Sequence, residues 1–360
     1  MISYKKGTVS KILSEDESTV WFEVIIEDKI ERAINYKCLT GEVRVGDVVI
    51  LNTTAVNLSL GTGGYHFVIF NYSNSSKELE GKGHIMKMRY TPFQIKCLSA
   101  EEEDSPYHEK FNSFKSLEKK IFILAEIHSM LAPIAAMIKW LDPTVKVNYI
   151  MTDGGALPIG FSNTVKLLKE KKIIDKTVTI GHSFGGDLEC VNIYTGLIAA
   201  KEILESDITV ISMGPGIVGT GSKYGFSGIE QGYISDAVNN LGGTSLIVPR
   251  ISFKDKRTRH QGVSHHTLTV LGEVSNTKST VIIPLLGEKK NSVINEQFKE
   301  HNIFKRHNVV YEDGKDIEDA MKYFDLNITT MNRGYKDDEE YFITLGAVGK
   351  WALSYLKKGR

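Results

Sequence analysis

Only three cysteines occur in 360 residues, Cys38, Cys97 and Cys190, and no two form a CxxC pair. This excludes a disulfide framework or a cysteine-built zinc site as the organising device. Charge of one sign is also missing: 44 Lys and Arg stand against 44 Asp and Glu. The simplest electrostatic case for binding nucleic acid or an anionic membrane is thereby removed. A long apolar run is absent too. The most apolar stretch, 121–141, contains Glu126, His128 and Lys139, which a membrane span of about 20 residues tolerates poorly. The start, MISYKKGTVSKIL, turns polar before the apolar segment of a secretory leader could form. The expectation is a cytoplasmic protein with neither nucleic-acid nor membrane partners.

What remains is ordinary globular material, 41% apolar and 24% charged, in a chain long enough for about two domains. Up to about residue 75, short runs rich in Val, Ile, Phe and Tyr (TVWFEVII, INYKCL, VGDVVILN, YHFVIFN) alternate with glycine turns. This pattern predicts a small antiparallel, barrel-like β domain. One of its loops, LGTGGYHF, is read as a hairpin turn. The acidic run EEED at 101–104, followed by Ser105-Pro106, reads as a linker. The expected domains are therefore 1–104 and 105–360.

Past the linker the periodicity lengthens. Residues 117–141 read as a long helix interrupted at Pro133. From Pro143 onward, apolar strands (VKVNYIM, TVTI, ITVISM, SLIVPRISF, TVIIPLL, NVVYE) alternate with amphipathic segments. That rhythm predicts a Rossmann-like α/β domain, a doubly wound and mostly parallel sheet covered on both faces. Ligands of such sheets bind outside the carboxyl ends of the strands.

Four distinctive loops fall at such ends. The first holds Asp153-Gly154-Gly155. The second is Gly181-His182-Ser183-Phe184-Gly185-Gly186-Asp187-Leu188-Glu189. The third runs from Gly214 and Gly216 through Gly219 and Thr220 to Gly228. The fourth contains Arg250, Asp255, Arg257, Arg259, His260, His265 and His266. Glycines in the third loop permit close backbone approach to a ligand, and amides ahead of a helix attract anions. Gly214, Gly216 and Gly219 match a bare GxGxxG, but the loop continues too far before a helix for a dinucleotide fingerprint. Arg250, Arg257 and Arg259 suit carboxylate or phosphate. Asp153, His182, Asp187, Glu189, His265 and His266 are candidates for proton transfer or for binding zinc, manganese or iron. No HxxxH or HxH spacing fixes a metal geometry, so cofactor and metal stay unknown. In an extended segment, His265 and His266 would point to opposite sides, so one of them need face the crevice.

Gly181-His182-Ser183-Phe184-Gly185 is also a literal GxSxG. After a strand and before a helix it would form a nucleophile elbow with Ser183 as nucleophile. Asp255 and His265 or His266 follow in the required order, but lie only about ten residues apart. The acid-rich patch 337–340 is expected at the surface.

Several of these segments carry a resemblance. TTAVNLSLGTGGYHFV, MTDGGALP, GHSFGGDLECVN, MGPGIVGTGSKYGFSG and RISFKDKRTRHQGVSHHTLT occur in this order across most of the chain. The chain thereby resembles an uncharacterised bacterial family defined by a domain of unknown function, DUF3866. The resemblance implies the architecture and a one-piece bacterial protein, and no reaction. The expected function is binding of, or chemistry on, a small anionic molecule at the sheet edge. The alternatives are a serine hydrolase, or a non-enzymatic sensor or structural protein whose loops meet at a subunit interface. A homodimer is the commonest assembly for such a chain.

Overall fold

The computed structural model describes residues 1–60 and 63–359. The chain divides into two compact units, Met1–Cys97 and Leu98–Arg360.

In the first unit, β1 (Tyr4–Glu15), β2 (Thr19–Ile26), β3 (Lys29–Tyr36), β4 (Val48–Asn52) and β5 (Tyr65–Asn71) close into a barrel. The order is β1-β2-β3-β5-β4, with β3 and β5 parallel and the other neighbours antiparallel. Alternation along β2 turns Val20, Phe22, Val24 and Ile26 into the core beside Val49, Leu51 and Val68. β1 is not among the runs read as strands. Its only buried residues are Gly7 and Val9, too few for an apolar alternation to register. Gly61 and Thr62 of the LGTGGYHF segment lie outside the described residues. Gly63 and Gly64, at φ of 67° and 79°, lead into β5. A short antiparallel pair, β6 (Ile85–Lys87) and β7 (Ile95–Cys97), completes this unit.

The second unit is built on β8 (Ile121–Leu124), β9 (Val147–Thr152), β10 (Thr177–Ile180), β11 (Leu188–Cys190), β12 (Ile208–Met213), β13 (Thr244–Ile247), β16 (Thr280–Pro284) and β17 (Asn308–Glu312). They form one sheet in the order β11-β10-β9-β12-β8-β13-β16-β17. Every pairing is parallel. Alternate side chains of β8 feed two separate cores. Ile121 and Ile123 join residues of the helices Leu131–Leu141 and Glu339–Gly359. Phe122 and Leu124 join residues of Ile193–Glu202, Glu230–Asn240 and Glu288–Glu300. Helices therefore cover both faces, as the apolar strands require.

Two expected helices are corrected. Residues 117–141 form β8, a turn at His128–Met130 and the helix Leu131–Leu141. The run IFIL is apolar at every position, so periodicity could not separate a buried strand from a helix. Pro133 sits in the first helical turn, where its missing N–H is not needed. The helix expected after GHSFGG, near 188–204, starts later than expected. There the chain adds the edge strand β11, and the helix starts only at Ile193, capped by Asn192. The acidic segment 101–104 belongs to the second unit, in which Ala100 N donates to the carbonyl of Glu189 at 2.8 Å.

The strand order locates a crevice. The chain leaving β8 passes beyond its neighbour β12 to reach β9, and the chain leaving β12 passes beyond β8 to reach β13. Connections that depart in opposite directions from adjacent strands separate at the carboxyl ends and leave a hollow there.

Candidate functional site

Glu126 stands two residues past the end of β8 and is 4% exposed. Its Oε1 accepts a 2.7 Å hydrogen bond from His266 Nδ1, and its Oε2 one of 3.4 Å from Thr267 Oγ1. Arg250, three residues past β13 and also 4% exposed, brings Nη1 within 3.9 Å of Glu126 Oε1. The fourth loop reaches this point because its ends are tied together. β14 (Ile251–Ser252) pairs with β15 (Gly262–Val263). Ser264 N donates to the Arg250 carbonyl at 2.8 Å, and Arg250 N donates to Thr267 Oγ1 at 3.0 Å.

Arg250 Nη2 lies 3.8 Å from Asp255 Oδ2 and has no hydrogen-bond partner among the described residues. Asp255 is engaged elsewhere: Arg257 donates to it through Nε at 3.0 Å and Nη2 at 2.8 Å. That fork holds the Asp255 carboxyl far below the usual carboxylate range, against the opposing effect of burial. Asp338 is fully buried and accepts from Ser252 Oγ and Arg333 Nε. This corrects the surface expected for 337–340. Asp338 and Glu340 are buried while Asp337 and Glu339 are exposed, because the segment enters the helix Glu339–Gly359 across the fourth loop.

Three imidazoles meet beside Glu126. One ring nitrogen from each of His260, His265 and His266 can be chosen so that all lie within 4.8 Å of one another. His265 and His266 do not diverge as an extended segment would require. They open the helix His265–Thr269, and their ring centroids are 4.3 Å apart. The helix then passes into a π turn at Val270–Val274, an irregularity frequent at functional sites. His260 Nδ1 shares a 2.8 Å hydrogen bond with Ser264 Oγ, the residue that caps this helix. Burial, followed by the charges of Arg250 and Arg257, pushes His260 down to about 3. Burial, followed by His266 and Arg259, also lowers His265, whose Nε2 is buried without a hydrogen-bond partner among the described residues.

The third loop folds over this cluster. It forms its own narrow hairpin: Thr220 N donates to the Gly225 carbonyl at 2.8 Å, and Ser227 N to that of Val218 at 2.8 Å. Phe226 stacks on His266 at 3.9 Å with the rings 3° from parallel. Two glycines make the approach feasible. A Cβ at Gly228 would sit 2.7 Å from Glu126 Cγ, and one at Gly219 would face His266 Nε2 at 3.7 Å. Gly221 lies beside Arg259, its ideal Cβ position 3.9 Å from Nη2. Gly214 packs against Leu157 and Met151, while Gly216 takes φ of 106° in open space.

The remaining predicted residues lie apart from the histidines. Asp153 Oδ1 accepts from Ala156 N at 2.9 Å and Oδ2 from His182 N at 2.8 Å, which organises the first loop against the second. Asp187 binds Lys169 at 3.0 Å, Lys176 at 3.4 Å, and both N and Oγ1 of Thr177 at 2.8 Å. Thr177 opens β10, so Asp187 belongs to the amino edge of the sheet. Glu189 lies within β11, where it accepts from Thr179 Oγ1 at 2.7 Å and Gly185 N at 2.6 Å. Ser183 is 0% exposed, and its Oγ donates to the Thr152 carbonyl at 3.0 Å.

Three residues escaped sequence reading: Glu126, Glu230 and His260 as a member of the cluster. Glu126 was hidden inside a presumed helix. Glu230 opens the helix Glu230–Asn240 and accepts from Thr152 Oγ1. Burial, with the negative charge of Asp153 adding to it, pushes its carboxyl up to about 7 although the Thr152 bond opposes the shift. A Glu just ahead of a helix, after a glycine-rich loop, was the available signal.

The class defined so far is a protein with a five-stranded closed barrel and an all-parallel eight-stranded α/β sheet, whose carboxyl edge collects histidine, arginine and carboxylate. The chain belongs to the family described as "Protein of unknown function (DUF3866)", which matches residues 32–349. No curated protein and no solved structure matches it.

Proposed function

We propose that this protein binds a small anionic molecule, phosphorylated or carboxylated, in the crevice where the third and fourth loops converge. The observation that carries this reading is the buried Arg250 guanidinium, whose Nη2 finds no hydrogen-bond acceptor among the described residues. A buried polar group without a partner is costly unless a ligand supplies one, and a guanidinium fork matches carboxylate or phosphate oxygens. Arg259, beside Gly221 of the third loop, adds a second cation from the same loop as Arg250. Ser183 has no part in this reading, because its hydroxyl is buried and committed to a carbonyl.

The test is thermal unfolding with orthophosphate, pyrophosphate or citrate, against chloride at matched ionic strength. A ligand at one hundred times its Kd stabilises by about 2.7 kcal/mol. At least one of these anions is expected to raise Tm of the wild type and to lose that effect in Arg259→Ala. No rise with any anion, or a full rise in the variant, would contradict the reading.

A further inference from the structure

We infer that His260, His265 and His266 form a binding site for one divalent transition-metal ion of the zinc class, with Glu126 and Ser264 as the outer partners that orient the ligands. This deepens the reading of the crevice as a ligand site and rests on it.

The first argument is convergence. Three imidazoles from a loop turn and a helix start bring nitrogens within 4.8 Å of one another. In a tetrahedral site with Zn–N of about 2.0–2.1 Å, ligand nitrogens lie roughly 3.4 Å apart. The difference is within reach of small side-chain rotations. Three histidines with an open fourth position are a known zinc arrangement.

The second argument is how the other nitrogens are used. A metal-binding histidine typically engages its remaining ring nitrogen with a carboxylate or another oxygen, which fixes the tautomer. His266 Nδ1 donates to Glu126, leaving the Nε2 lone pair on the side of Gly219. His260 Nδ1 is held by Ser264, leaving Nε2. His265 Nε2 is buried with no hydrogen-bond partner among the described residues. Three imidazoles packed within 4.3–5.1 Å of one another, centroid to centroid, repel if protonated. Neutral imidazole is the ligating form.

The nearby arginines do not forbid a dication. Arg250 lies between two buried carboxylates, Glu126 at 3.9 Å and Asp255 at 3.8 Å. These three buried groups sum to one negative charge. Arg257, its side chain 44% exposed and 2.8 Å from Asp255, brings the sum of the four groups to zero, so they present no net positive charge to an ion. Soft thiolates do not compete here, since none of the three cysteines belongs to the cluster.

The experiment uses the full chain, stripped with a chelator and titrated with zinc against a chromophoric competitor. Cobalt(II) absorption reports coordination number. The wild type is expected to bind one equivalent and to give the intense visible bands of tetrahedral cobalt. Glu126→Gln should weaken zinc binding by about 10- to 100-fold, the range for outer partners. His260→Ala and His265→Ala should weaken it further, while His301→Ala, outside the cluster, should not. Zinc absorption fine structure on the wild type covers the case in which a variant fails to fold, and three imidazole nitrogens without sulfur are expected. The inference is overturned by failure to bind one equivalent, by unchanged affinity in folded His260→Ala and His265→Ala, or by fewer than two imidazoles around the zinc. The anion panel, run on stripped protein, separates the two readings. Tm shifts without zinc binding would retain the anion site and overturn the metal. Zinc binding without any anion shift would retain the metal and overturn the anion.

Discussion

Replacing Glu230 by Gln should remove a loss of stability that the wild type suffers as pH rises. The carboxyl is 7% exposed and titrates near 7 in the folded chain, against 4.5 for an unperturbed glutamate. Burial is the main cause, and the neighbouring Asp153 carboxylate works in the same direction. Below pH 4.5 the group is protonated in both folded and unfolded chains and costs nothing. Between pH 4.5 and 7 the unfolded chain releases its proton while the folded chain keeps it, so folding stability falls as pH rises. Above pH 7 both are ionised, and the loss levels off. A difference of 2.5 pKa units, at 1.36 kcal/mol each, corresponds to about 3 kcal/mol. Gln retains an oxygen that can accept from Thr152 Oγ1 and has no proton to lose. Urea unfolding of both proteins from pH 4 to 8 isolates this group, because all other titrations are common to the pair. The variant should match the wild type near pH 4 and exceed it by about 3 kcal/mol at pH 8. Curves that stay parallel across this range would refute the argument.

Other outcomes follow from the same geometry. Gly228→Ala places a methyl group 2.7 Å from Glu126 Cγ, an overpacking that should cost about 1–3 kcal/mol in a chemical melt and reduce any Tm shift by anions. Arg250→Ala leaves Glu126 and Asp255 without their shared buried cation, so a loss of about 3 kcal/mol is expected by urea unfolding. An unchanged midpoint would show the cation to be unimportant. Ser183→Ala forfeits one buried hydrogen bond worth about 1 kcal/mol, and a fluorophosphonate probe should leave Ser183 of the folded wild type unlabelled in a peptide digest. Asp187→Ala should lower Tm by untying the start of β10 while leaving any anion-induced shift at its wild-type size.

The α/β rhythm was legible because five of the six strand runs named after Pro143 are short apolar segments flanked by turn residues, and TVTI, ITVISM and NVVYE match β10, β12 and β17 residue for residue. The charges of the fourth loop were legible as lying at a strand end, because they follow directly on a strand. What misled was local ambiguity at the centre of the fold. IFIL reads as helix or strand, and taking it as helix hid Glu126, the carboxylate on which His266 depends. The second loop misled for the opposite reason. Its glycines were read ahead of a helix, whereas they lead into the edge strand β11, with Asp187 bonded to the start of β10. Pairwise distances between residues such as Glu126 and His266, 140 positions apart, are set by strand order, and strand order is not written in periodicity.

The central claim is that the third and fourth loops form one ligand site at the sheet's carboxyl edge. Hydrogen–deuterium exchange with and without pyrophosphate tests it most directly. The account predicts slowed exchange in peptides covering 214–229 and 250–267, with no change around 181–189. Protection confined to the second loop, or none anywhere, would contradict it.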